Sequence, residues 1–241
     1  MYDLAEFTLS DMTRSGRELR KLGANASSME EVAGRMVRYL YGSLVAGGND
    51  DSACALVRFF TTLPYAALEP AQQEFIQSLP GAGPPRPTTK CLTLLATAGQ
   101  LPSWNSRHSS SGHKALPLAS EASVARSPMI AQLIAQLGMA IGALIGNAGD
   151  FVIDADQHTF NVFHVRDAEG SPFIPAQEEF VIPHGIKSVL GFGGLLPSRE
   201  LFAIILFARC TIDRDRADLF KTLALNAKVA VLPFAGGQIF E

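Results

Sequence analysis

Apolar residues in this chain follow two spacings, and these divide it into helices and strands. Leu4, Phe7, Leu19 and Leu22 mark residues 3–22 as a helix that Gly23 and Asn25 end. Ser28 and Glu31 have capping-box spacing, and Val32, Met36, Leu40 and Leu44 then line one side of a second helix, up to Gly47-Gly48-Asn49-Asp50. The run Cys54-Ala55-Leu56-Val57-Arg58-Phe59-Phe60 predicts a mostly buried strand. Residues 69–79 predict a surface helix, and the proline-rich stretch 80–89 predicts a loop. A second strand follows over residues 91–98, and Gly99 ends it. The polar, serine-rich stretch from Gln100 to Gly112, which holds Trp104, reads as an exposed or lid-like loop. Residues 113–118 return as a short strand, and Ser120 starts a short helix.

The last third changes rhythm. Residues 159–165 predict a strand, followed by a loop with Gly170, Pro172 and Pro175. Residues 187–192 and 201–208 predict two buried strands joined by a turn at 196–200, a hairpin. Asp213 or Asp215 then caps a final helix over residues 213–232, carrying Leu219, Leu223, Ala227 and Val231. This order predicts an α+β domain, an antiparallel β-sheet with helices gathered on one face.

The stretch from Ser127 to Gly149 has no charged residue, and its glycines at 138, 142 and 146 are spaced as in membrane helix contacts. Gln132, Gln136 and Asn147 interrupt it, so a split reading is preferred. Ser127 caps a helix with Pro128 in its first turn and Ile130, Leu133, Ile134 and Leu137 on one face. Gly138 stops that helix, and a short element follows from Met139 to Ile145. The chain is 47% hydrophobic and 18% charged, which suits a packed core rather than disorder. The net charge of −3 comes without a basic block, so neither nucleic acid nor membrane is an expected partner. Three scattered cysteines (Cys54, Cys91, Cys210) fit neither a zinc spacing nor a disulfide framework. With an acidic N-terminal stretch and no visible secretion signal, this predicts a soluble, cytoplasmic protein.

The order of elements resembles that of a GAF domain, and the end of the chain carries the likeness best. In "GIKSVLGFGGLLPSRELFAIILFARCTIDRDRADLFKTLALNAKVAV" the pair Lys187-Ser188 starts a strand, a turn and a second apolar strand follow, and Asp215 to Leu219 opens the last helix. "SMEEVAGRMVRYLYGSLVAG" resembles the family's early helix. "CALVRFF", "NVFHVRDAEGSPFIPAQEEFVIPHGIKSVLGFGG" and "ELFAIILF" resemble sensory regions found ahead of bacterial histidine kinases. The resemblance implies one GAF-like domain over residues 1–241, with residues 80–150 as a long variable insertion. It implies a homodimeric, non-enzymatic sensor that binds a small molecule and regulates a signalling partner such as a histidine kinase. No kinase or cyclase follows residue 232, so the output is expected from a partner or from a longer protein.

Candidate chemistry is sparse. His164, between Phe163 and Val165, is placed to contact a small molecule or a haem iron; a core histidine bonded to backbone is the competing reading. Phe163, His164, Phe173 and Trp104 form the candidate ligand-binding set, expected around a closed polar and aromatic pocket; no cofactor is specified. His184 reads as a turn residue. Ser109-Ser110-Ser111-Gly112-His113, near His108, lacks a nucleophile elbow and reads as a solvated loop. Gly191, Gly193 and Gly194 lack the residues of a phosphate loop and predict a bulge or turn. A ligand-free docking module and a thiol reductase are the alternatives, and the buried cysteine runs weigh against the latter.

Overall fold

The computed structural model describes residues 1–47, 51–80, 85–110, 112–145 and 161–241. Gly48-Asn49-Asp50, residues 81–84, Ser111, the end of the uncharged stretch at 146–149 and the first residues of the 159–165 strand lie outside the described residues.

The first helix, α1 (Leu9–Lys21), is shorter than the 3–22 expected. Thr8 caps it: its hydroxyl accepts from the Asp11 amide, while the Asp11 carboxylate accepts from the Thr8 amide. Leu4 and Phe7 are buried ahead of the helix, not on it. There a short strand, β1 (Tyr2–Asp3), pairs in parallel with β2 (Leu44–Val45). Ser28 caps α2 (Met29–Ser43) as predicted, accepting from the Glu31 amide at 3.0 Å. The Glu31 carboxylate instead takes the Ser27 amide and hydroxyl, both at 2.8 Å. Leu44 leaves the helix to start β2.

The main sheet has six strands: β3 (Cys54–Pro64), β4 (Lys90–Gly99), β5 (Ala115–Pro117), β6 (Val162–Val165), β7 (Ser188–Leu195) and β8 (Leu201–Ala208). Their order is β5-β4-β3-β8-β7-β6, and every neighbouring pair is antiparallel. Residues 80–150 are therefore not an insertion throughout, because β4 within them is an interior strand beside β3.

Helices cover both faces of the sheet, not one. On the first face lie α1, α2 and the final helix α7 (Arg214–Val231), around Phe7, Phe59, Phe192, Phe202 and Phe220. On the second lie the short helices α4 (Glu121–Ala125), α5 (Pro128–Gln136) and α6 (Ile141–Ile145), with the chain that follows β6. Between β3 and β4, α3 (Pro70–Gln77) closes a small edge cluster with β5. The reason for two covers lies in β8, every residue of which is buried. Phe202, Ile204 and Leu206 face the first layer, while Leu201, Ala203 and Ile205 face the second. A strand apolar at every position needs both faces shielded from water.

Gly138 ends α5 with φ +79, and α6 follows after a break. Among the described residues, no helix is long and apolar enough to cross a membrane. The expected bulge or turn at Gly191-Gly194 is absent: the β7–β8 pairing runs without a shift from Ser188↔Ala208 to Leu195↔Leu201. Gly193 is needed there for close approach, since a Cβ on it would stand 2.0 Å from the Phe202 carbonyl oxygen. Ser188, of the Lys187-Ser188 pair, stitches three segments. Its hydroxyl donates to Arg166 O at 2.8 Å and accepts from Ile212 N at 3.0 Å.

Candidate functional site

His164 sits on the edge strand β6, half-buried. Its Nε2 donates to Ile212 O at 2.8 Å, and its backbone amide donates to Gln136 Oε1 at 2.8 Å. The carbonyl partner places the ring proton on Nε2, so the ring is bonded to backbone, although it lies at the sheet edge and not in the core. Burial lowers its pKa, Ile212 O opposes this, and Arg214 lowers it further. An open groove of about 370 Å³ runs beside it, lined by Gln136, His164, Arg166, Asp167 and Phe173 among others.

The four residues singled out from sequence are not brought together. His164 and Phe173 line the same groove, and Phe173 is 38% exposed. Phe163 is fully buried in the second-face core. Trp104 packs elsewhere, edge-on to Phe180 and His184 with ring centroids 5.6 and 4.7 Å away. Among the described residues the closed pocket expected around His164, Phe173 and Trp104 is therefore not formed, because Trp104 packs on Phe180 and His184 away from that groove; alternation along β6 sends Phe163 to the face opposite His164. His184 does lie in a turn, with its Nδ1 2.6 Å from Gln100 Nε2.

Burial raises all three thiols: Cys54 furthest, Cys91 to about 12 and Cys210 to about 11. A reductase needs the opposite shift, toward thiolate. Among the described residues, no group of three or more His, Cys, Asp or Glu is arranged to hold a metal ion.

The described residues of the stretch 100–112 are anchored rather than lid-like. Pro102–Asn105 form a 3-10 turn, and the Asn105 side chain bonds both the amide and the carbonyl of Gly99, each at 3.0 Å. Arg107 is buried and donates to Glu30 and Glu69, with its guanidinium 5.1 Å from the Phe240 ring centroid. Ser110, three residues on, is buried against Arg58.

Arg58 and Arg107 are the residues that reading the sequence passed over. Arg58 rises from the middle of β3 on the second face, between Leu56 and Phe60 and opposite Thr97 and Ile205. It is only 9% exposed. Its Nη2 donates to Ser110 Oγ at 3.0 Å and its Nη1 to Gly112 O at 3.5 Å, while Nε has no acceptor among the described residues. Thr97 Oγ1, beside it, is also buried without a partner among them. Burial pulls the Arg58 guanidinium down to about 10, and no carboxylate of the described residues raises it. A charge taken out of water costs several kcal/mol unless a counter-charge and hydrogen bonds offset it. The signal for Arg58 was present in the sequence: it is the one charged residue in Cys54–Phe60, a run that already reads as buried.

The arrangement can therefore do two things chemically: present an open polar groove at the β6 edge, and hold under residues 100–110 a cation that no carboxylate of the described residues neutralises. In comparisons with known proteins, no family model matches this chain and no curated protein matches it.

Proposed function

We propose that this chain is a sensory domain of the GAF type that binds a small molecule on the second face of its sheet and regulates a signalling partner. The observation that supports it is the asymmetry of the two covers. Long helices α1, α2 and α7 close the first face with apolar packing. Short helices and loops close the second, and beneath them the buried Arg58 guanidinium pairs with no carboxylate among the described residues. A buried charge in a settled core is normally paired, so an unpaired one under a cover of loops favours a binding role. A bound ligand would act on the partner by favouring one arrangement of that cover. A histidine kinase is the partner class that the family resemblance suggests, in a cytoplasmic homodimer.

The test is an absorbance spectrum of the purified chain, with mass spectrometry of whatever denaturation releases. A stoichiometric small molecule is the expected result. An empty chain that also binds no metabolite from a defined library would overturn the sensing role.

A docking module is the second reading, favoured by an apolar stripe on α7. Leu225 and Val229 are 44% and 41% exposed and lie one turn apart, with Leu232 following at 42%. Such a stripe suits pairing with a second copy of the chain.

A further inference from the structure

The two buried arginines are treated differently by the fold. Arg107 is matched by two carboxylates and an aromatic ring. Arg58, equally buried, has one hydroxyl, one distant carbonyl and a free Nε, and among the described residues no carboxylate pairs with it. Among the described residues the neighbouring Thr97 hydroxyl has no partner, and Thr97 is the cross-strand partner of Arg58 on the same face. What these residues do not supply to the site is negative charge with acceptors for a guanidinium edge and a hydroxyl. A carboxylate or phosphate group supplies both, since its oxygens match the fork of N–H donors on a guanidinium. A neutral carbonyl would accept a hydrogen bond but leave the charge uncompensated.

We propose that Arg58, with Thr97 and Ser110, anchors a small oxyanion, the carboxylate or phosphate group of a ligand held on the second face beneath residues 100–110. The proposal rests on the sensing role and names the chemical class that the sensor takes. Ser110 orients the guanidinium, leaving Nε and the Thr97 hydroxyl for the anion.

Trp104, the single tryptophan, lies in the covering segment and serves as the reporter. The full chain is titrated with sodium phosphate and, separately, with sodium succinate, each against sodium chloride at constant ionic strength. Tryptophan fluorescence and thermal melting are read together. A saturable response to at least one anion is expected. A response to phosphate alone assigns a phosphate group, and one to succinate alone a carboxylate. Arg58→Met keeps an unbranched apolar stem and removes the guanidinium with its charge, and it is expected to weaken binding about tenfold or more. It should not lower the melting temperature without anion, because the unmatched charge is gone. No saturable response in the unmodified chain, or an equal response in Arg58→Met, overturns the proposal. If Arg58→Met does not fold, Thr97→Val decides, since it removes one hydroxyl at nearly constant volume. About threefold weaker binding supports the site, and unchanged binding overturns it. A neutral compound released from the purified chain and retained equally by Arg58→Met would leave the sensing role standing and remove the anion.

Discussion

The Arg107 guanidinium lies between the Glu30 and Glu69 carboxylates, with Nη2 donating to Glu30 Oε2 at 2.9 Å. Glu30 opens α2, and Glu69 precedes α3. Phe240 lies against the same guanidinium, and its neighbours Gln238 and Ile239 accept from the Met29 and Glu30 amides at 3.0 and 2.8 Å. One side chain thus ties the segment covering Arg58 to the start of α2 and to the segment after α7.

The two carboxylates differ in burial, and this orders their contributions. The Glu30 side chain is 15% exposed and that of Glu69 is 32%. Glu30→Gln leaves Arg107 short of its better-shielded counter-charge, and a loss of about 3 kcal/mol is expected. Glu69→Gln removes a more hydrated contact and should cost about 1 kcal/mol. Urea unfolding of both variants checks the order, and equal losses would contradict it.

Two glycines should respond in opposite directions to the same substitution. A Cβ at Gly193 would meet the Phe202 carbonyl oxygen at 2.0 Å and the Ala203 Cα at 2.8 Å, both backbone atoms of the paired strand. Gly193→Ala must therefore push β7 and β8 apart, and loss of cooperative unfolding is expected. Nothing lies within 4 Å of a Cβ at Gly42, an exposed position in α2. Gly42→Ala should stabilise by about 0.5–1 kcal/mol through lower backbone entropy in the unfolded chain. Melting curves of the pair separate the two effects.

Acid should weaken the fold through His164. Burial holds its pKa below the ordinary value, so the unfolded chain takes up the proton first. The contribution is complete above the unfolded value of about 6.5 and is lost as pH falls from there toward the folded value. Glu69, held low by its hydrogen bond to Arg107, gives way only in more acid solution. Denaturant midpoints at about pH 7.5 and about pH 5.5 should differ less in His164→Gln than in the unmodified chain. An unchanged difference would mean that His164 does not carry the acid sensitivity.

The apolar stripe on α7 gives a prediction about assembly. Leu225→Arg with Val229→Arg changes two exposed positions and should alter stability by less than about 1 kcal/mol. If α7 pairs with a second copy, the unmodified chain sediments as a dimer and the double variant as a monomer. Two monomers would remove the docking module, and two dimers would move the interface away from α7.

Much of the fold was legible locally. The Ser28 cap, the β7–β8 hairpin and the Gly138 stop depend on residues within one turn or one hairpin of each other. The start of α1 was misplaced because Leu4 and Phe7 are apolar for tertiary reasons, although Thr8 and Asp11 carried the true capping signal. The number of covered faces was also present in β8, whose unbroken apolar run requires shielding on both sides.

By itself the sequence determined most of the helices, the strands of the main sheet and the burial of β3 and β8, because periodicity and capping act over a few residues, whereas the short pair β1–β2 was not legible in it. Only the tertiary structure decided how charge is matched inside. Arg107 meets carboxylates 77 and 38 residues away, while Arg58 meets a serine 52 residues away and, among the described residues, no acid. In the sequence the two are simply arginines. Burial removes the water that would otherwise screen them, and the packing of distant segments determines which one meets a counter-charge among the described residues.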